Sequence, residues 1–399
     1  MENNIRFVKN TFSQKDSDVK LCTCDAAAKV RSFHESFPDY SPTPLVKLSG
    51  LSERFNVGGI FVKDESFRFG LNAFKALGGS YAIGRIIADR LGIDISQLPF
   101  SRLVSDEIKE KTGSMTFITA TDGNHGRGVA WTANRLGKRC IVYLPKGTAV
   151  ERLENIRALG AEAEITELVY DDAVRLARKE ADEKGYVLVQ DTTLDAYEDI
   201  PKLIMLGYTT MALEAVEQLG NIKPTHVFLQ AGVGSMAAAV AEYISNYYGA
   251  ENRPLISVVE PNGADCIFRT ADANDGELHF VKEPQSIMAG LCCGEPCSVA
   301  WDMLRQCTDY FFSIPDSTAV HGMRALAYPV NGDKSVVSGE SGASTFGLVC
   351  ELLGNAELSY LRDELKINDS SVILCFSTEG ATDRENYNRI VCDTKREKK

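Results

Sequence analysis

Lys75 stands between Phe74 and the run Ala76-Leu77-Gly78-Gly79-Ser80. An amine set between an aromatic ring and small residues that open a helix can be held partly dry over a flat bound group. Burial against apolar neighbours favours its neutral, nucleophilic form. Alone, this lysine reads as a surface residue at a helix start; three further stretches change that reading. Thr121-Asp122-Gly123-Asn124-His125-Gly126-Arg127-Gly128 carries three glycines in eight residues, which lets the backbone turn tightly around a bound group before a helix resumes. Ala231-Gly232-Val233-Gly234-Ser235-Met236 follows a buried-strand pattern, His226 to Gln230, and leads into an alanine-rich helix. Strand, glycine turn and helix together aim backbone N–H groups and the positive helix end at one phosphate. Gly232 and Gly234 lack the third glycine of a dinucleotide fingerprint, so Gly232, Val233, Gly234, Ser235 and Met236 suit a single phosphate better than a pyrophosphate, which argues against an NAD-binding oxidoreductase. The last stretch is the apolar strand Val372 to Phe376, ending in Ser377-Thr378-Glu379-Gly380.

These groups fall just beyond predicted strands. Gly59 to Glu65 reads as a strand ten residues before Lys75, and Phe74 to Leu91 has helical spacing. Met115 to Ala120 is the strand before Asp122 and Asn124; Cys140 to Leu144, Ala163 to Thr166 and Tyr186 to Gln190 follow, separated by helices over Ala149 to Leu159 and Tyr170 to Lys184, and the last strand delivers Asp191. Repeated β-α-β patterning predicts an α/β fold with parallel sheets covered by helices, whose ligands lie at strand-to-helix crossings. A chain of 399 residues exceeds one ordinary core. Two lobes are expected: a large discontinuous one of residues 1–114 and 200–399, and a small mobile one of residues 115–199 that closes on the substrate. Residues 1 to about 35 read as an irregular entry segment, and residues 92 to 113 as a solvated surface insertion.

A net charge of −12 argues against nucleic-acid and anionic-membrane surfaces, both of which need a basic face. Without an apolar run of spanning length or the apolar middle of a signal peptide near Met1, the expected address is the cytoplasm. Eleven scattered cysteines and five histidines offer no zinc spacing, so no metal site is expected, and reduced core thiols are the default. A disulfide from Cys266 to Cys292 or Cys293 stays open.

A lysine after one strand, a glycine-asparagine loop after a second, a phosphate loop after a third and hydroxyls after the last resemble the fold-type II pyridoxal-phosphate enzymes, the group of serine and threonine dehydratases, threonine synthase and the tryptophan synthase β chain. The resemblance runs from Thr43 to Asp383. It implies two lobes, each with a mainly parallel twisted sheet flanked by helices, and pyridoxal 5'-phosphate as cofactor. Lys75 would hold that cofactor covalently and Asn124 would hydrogen-bond its ring oxygen. The backbone from Gly232 to Met236 would hold its phosphate, and Ser377 or Thr378 would face the pyridine nitrogen. Such enzymes are generally homodimers joined through the larger lobe.

The departures narrow the resemblance. Ala73-Phe74-Lys75-Ala76-Leu77-Gly78 replaces the dehydratases' Ser-Phe-Lys-x-Arg-Gly, and Thr121-Asp122-Gly123-Asn124-His125 replaces their Ser-x-Gly-Asn-His. With Gln190-Asp191-Thr192, these resemble the branch that removes ammonia from D- or L-2,3-diaminopropionate, leaving pyruvate and a second ammonia. Acting on both stereoisomers needs proton removal on two faces: Lys75 serves one, and Asp122 is the candidate for the other. Asp191 would bind the β-ammonium or assist proton transfer. As bland alternatives, Asp122 is a turn aspartate and Asp191 a helix N-cap. His125 reads as structural, and Glu340 as a residue that could shape the site. A serine or threonine dehydratase is the alternative enzyme and a silent metabolite-binding protein the alternative class; Asp122 argues against the first, and Lys75 with Asn124 against the second.

Overall fold

The computed structural model describes residues 5–12, 20–121, 123–193 and 198–392. Among these, eleven strands run in chain order: β1 (Arg6–Lys9), β2 (Leu45–Lys47), β3 (Gly59–Asp64), β4 (Thr116–Ala120), β5 (Arg139–Leu144), β6 (Glu162–Ile165), β7 (Val187–Leu188), β8 (His226–Gln230), β9 (Leu255–Pro261), β10 (Tyr310–Ile314) and β11 (Val372–Ser377). They form a seven-stranded sheet of order β1-β10-β9-β8-β11-β3-β2 and a four-stranded sheet of order β6-β5-β4-β7. The smaller sheet is wholly parallel; the larger is parallel except for its two edge strands, β1 and β2. Strands β3, β8 and β10 are buried at every position, as expected of parallel strands covered on both faces. The fold is therefore the expected α/β architecture of two helix-flanked, mainly parallel sheets.

The helix Ala76–Leu91, which begins directly after Lys75, packs on the helix Asn124–Arg135 from the smaller sheet and on the long helix Asp199–Leu219. Missing side chains make that three-way crossing possible. A Cβ on Gly128 would come within 2.8 Å of the Ala76 Cα, and one on Gly207 within 2.4 Å of the Leu77 carbonyl. Glycine inside a helix costs roughly 1 kcal/mol against alanine, and here it is offset by direct contact between backbones. The crossing fixes the start of the Lys75 helix relative to both sheets.

Beneath the loop that leads to Lys75 lies a dry ionic network. Arg68 donates to Glu65 at 2.9 Å and to Glu214 at 2.8 Å, while Lys63 on β3 donates to Glu214 at 2.6 Å and to the Thr43 carbonyl at 2.7 Å. All four charged side chains are essentially inaccessible. Burial by itself would raise the pKa of Glu214, but hydrogen bonds and charge from Arg68, then Lys63, bring it down to about 2 from 4.5. The loop continues through Phe69 and Asn72, both in left-handed backbone conformations, and is stitched to the end of β11 by Phe74 N–H to Thr378 O at 3.1 Å and Gly380 N–H to Asn72 O at 3.0 Å.

Two expectations need correction. Residues 1 to 35 are not irregular throughout: β1 pairs with β10, and Cys24–Glu35 is a helix whose N-cap Thr23 accepts from Ala26 N–H at 3.1 Å. Residues 92–113 contain the short helices Phe100–Leu103 and Asp106–Thr112, and they bury Ile95, Leu98, Leu103 and Ile108, so this segment closes the core beside the Lys75 helix. Among the described residues no helix is long and apolar enough to cross a membrane.

Removing one member of the ionic network leaves buried charge uncompensated. Glu214→Ala is expected to cost about 3 to 5 kcal/mol, read as a lowered midpoint in chemical denaturation. Because the folded pKa of Glu214 lies below its ordinary 4.5, its contribution is fully present above that value and is lost as pH falls toward 2. The unsubstituted protein should therefore lose more stability than the variant over that interval.

Candidate active site

Between the carboxyl ends of the two sheets lies a cavity walled by polar side chains, a glycine turn and the rings of Phe74 and Tyr208. Lys75, Asn124, Asp191, Gly232 to Met236 and Thr378 all line it. The structure thus gathers five widely separated stretches at one place.

Lys75 is the residue immediately before its helix and is 17% exposed, with its ammonium hydrogen-bonded to Asp191 Oδ2. Asp191 lies just past β7 and is buried. Burial alone would raise its pKa, but the Lys75 charge, then the nearby His125 ring, hold the carboxyl well below the usual range. His125 Nε2 donates to the Val189 carbonyl at 2.8 Å, and its Nδ1 sits 3.9 Å from Asp191 Oδ2. The imidazole is thus anchored to the strand that carries the carboxylate, in keeping with the structural role read from the sequence. Phe74 meets Tyr208 with ring centroids 4.8 Å apart, forming an apolar wall beside the lysine.

The glycine turn after β8 takes the predicted form. Gly234 has φ +100°, and a Cβ there would meet Ile267 Cδ1 at 2.9 Å. The turn leads into the 14-residue helix Ser235–Tyr248, whose first residues Ser235 and Met236 line the cavity, and Ser235 Oγ donates to the Asp191 carbonyl at 2.6 Å. That hydrogen bond joins the phosphate-type turn of the larger sheet to the backbone of Asp191, just past the last strand of the smaller one.

At the far wall the structure separates the two candidate hydroxyls. Thr378 lines the cavity and its Oγ1 accepts from Gln230 Nε2 at 2.9 Å, leaving its own proton for an acceptor in the cavity. Gln230 Oε1 is buried there without a hydrogen-bond partner among the described residues. Ser377 does not line the cavity; it ends β11 and donates to Ser338 Oγ at 2.8 Å. Period-2 alternation sends the two neighbours to opposite faces.

Other expectations fare differently. Asn124 borders the cavity, but its Nδ2 donates to Glu379 Oε2; Glu379 also accepts from Ser341 N–H at 3.2 Å. Glu379 was missed as a site residue although it sits in the Ser377-Thr378-Glu379-Gly380 ending. Asp122 lies outside the described residues. Glu340 faces an adjoining outer cavity, where Asn386 hydrogen-bonds it and burial raises its pKa. The disulfide left open for Cys266 does not form: its thiol is free, 3.7 Å from Glu260 Oε1, and burial raises its pKa. Tyr170 and Gln190, neither of them singled out as site residues, stand beside Asp191.

Residues 37–375 match the family model described as pyridoxal-phosphate dependent enzyme, and the chain belongs to that family. Its relatives are more particular. It is 48% identical to the diaminopropionate ammonia-lyase of Salmonella typhimurium, over 98% of each chain. The crystal structure of selenomethionine-incorporated holo diaminopropionate ammonia lyase from Escherichia coli superposes with a TM-score of 0.93 at 43% identity, covering 99% of this chain and 98% of that one. The same Escherichia coli enzyme in complex with an aminoacrylate-PLP azomethine reaction intermediate gives a TM-score of 0.91 at 43% identity, covering 98% of both chains.

The residues present fit pyridoxal phosphate. A lysine amine lies at one side, a glycine turn with a positive helix end at another, and a hydroxyl with a free proton at the third. The two hydroxyls allow a direct check. Thr378→Val is expected to shift the absorbance maximum of the cofactor-loaded protein and weaken cofactor retention on dialysis, whereas Ser377→Ala should leave the spectrum unchanged.

Proposed function

We propose that this protein catalyses the α,β-elimination of 2,3-diaminopropionate, as D or L isomer, to pyruvate and two molecules of ammonia. Full-length similarity to diaminopropionate ammonia-lyases supports the reaction. The observation that carries the substrate is the buried carboxylate of Asp191 beside Lys75: an anion in this cavity suits a second ammonium on the substrate, for which a serine hydroxyl would be a poor exchange.

Pyridoxal phosphate, when bound, supplies the electron sink that makes the substrate α-proton removable. The chain's own residues do the rest. The Lys75 amine binds the cofactor and then takes the α-proton on its own face. Asp122 takes it on the opposite face, which accounts for both stereoisomers. Asp191 holds the β-nitrogen as an ammonium so that it leaves as neutral ammonia rather than as an amide ion. Gly232 to Met236 would hold the cofactor's phosphate, Asn124 would hydrogen-bond its ring oxygen, and Thr378 would donate to its ring nitrogen. The unit of residues 115–199 closes on the substrate and excludes water. The working form is a homodimer in the cytoplasm, joined through the larger unit.

The test is spectroscopic and enzymatic together. A band near about 410–420 nm is expected in the purified protein and absent in Lys75→Ala, with pyruvate formed from both isomers of diaminopropionate. Keto acid from serine or threonine alone would replace this reading with a dehydratase, and failure to bind cofactor would end it. Asp122→Asn is expected to reduce turnover of one isomer at least about a hundredfold while sparing the other far more; equal loss on both would remove Asp122 as the second base.

A further inference from the structure

We infer that Tyr170 is a positioning residue that fixes the Asp191 carboxylate as the receptor for the substrate's β-ammonium; the inference rests on the reading just given and deepens it. Tyr170 opens the helix Tyr170–Lys184, and its ring borders both the inner cavity and the outer one, so it stands at the neck between them. Its hydroxyl lies 3.0 Å from Gln190 Nε2 and 3.4 Å from Asp191 Oδ1.

The direction of these hydrogen bonds is set from behind. Gln190 Oε1 accepts from Thr119 Oγ1 at 2.9 Å and from Ala120 N–H at 3.1 Å, which turns the amide NH₂ toward Tyr170. The tyrosine oxygen accepts that N–H, so its own proton points at Asp191 Oδ1. The longer of the two contacts has room to tighten when the site is filled. The two carboxylate oxygens therefore have separate duties. Oδ1 is held by the chain Thr119, Gln190, Tyr170; Oδ2 faces Lys75 and the reaction space. Once the Lys75 amine is engaged elsewhere, Oδ2 has lost its cation, and the substrate's β-ammonium is the group that replaces it. Without the Tyr170 bond, Oδ1 keeps the Gln190 amide, 3.4 Å away, as its hydrogen-bond partner on that side; the carboxylate is held less firmly and would meet that ammonium less well.

This predicts a defect specific to substrates with a β-cation. In the cofactor-loaded protein, Tyr170→Phe keeps the ring and removes the hydroxyl. The KM for diaminopropionate is expected to rise about tenfold, with kcat less affected. The Ki of D-serine as a competitor, which offers no β-cation, should stay within about twofold. Thr119→Val lies behind Gln190, away from substrate, and should raise the same KM by about two- to threefold, again without moving the D-serine Ki. An unchanged KM in Tyr170→Phe, or a KM and Ki that rise together, would overturn the inference; an unchanged KM in Thr119→Val would remove Gln190 from the chain. Pyruvate formation by the unsubstituted protein in the same assay reports on the functional reading separately.

Discussion

An ammonium and a nearly dry carboxylate meet between two sheets, and the rest of the site is arranged around that contact. Lys75 comes from the larger sheet's side, at the end of a loop stitched to β11; Asp191 comes from the last strand of the smaller sheet. Taking a charge out of water alone would cost several kcal/mol, roughly, and the Lys75 charge holds the buried Asp191 carboxyl in its charged form. The pair does two things at once. It joins the two sheets at the cavity, and in the function proposed above it keeps an anion ready for a cationic substrate group once the lysine has moved to the cofactor.

Both partners need a rigid mount. On the lysine side this is the crossing of three helices at Gly128 and Gly207, where backbone meets backbone, and below it the network of Lys63, Glu65, Arg68 and Glu214. On the carboxylate side it is hydrogen bonding: Ser235 to the Asp191 carbonyl, and Gln190 and Tyr170 to its side chain. The fold superposes along nearly the whole chain on the holo and intermediate-bound relatives to which it is similar.

Much of this was legible in the residues. Strand β8 and the helix Tyr170–Lys184 have the bounds their patterns predicted, because the apolar run and the helical spacing are uninterrupted and a glycine closes the helix at Gly185. Lys75, Asp191 and the glycine turn, which share one cavity, stand out in the sequence because each follows a strand and leads toward a helix. What was not legible depends on three-dimensional partners. Ser377 and Thr378 are neighbours of like chemistry, and only the packing of β11 on Ser338 decides which faces the cavity. Tyr170 reads as an aromatic at a helix start until Gln190 is seen behind it. The segment 92–113 hides Leu98, Leu103 and Ile108 among charges that point to solvent. Strand β1 is a short edge whose pairing comes from β10, some three hundred positions away, and local pattern carries no trace of so distant a partner.

The central claim is that the Lys75 amine, and no other, holds the cofactor in the cavity it shares with Asp191. Borohydride reduction of the cofactor-loaded protein fixes the cofactor to whichever amine carries it, and peptide mapping by mass spectrometry then locates the mark. The account predicts a single pyridoxyl-phosphate label on the peptide containing Lys75. A label on Lys63, on a surface lysine, or spread over several lysines with Lys75 unmodified would contradict it.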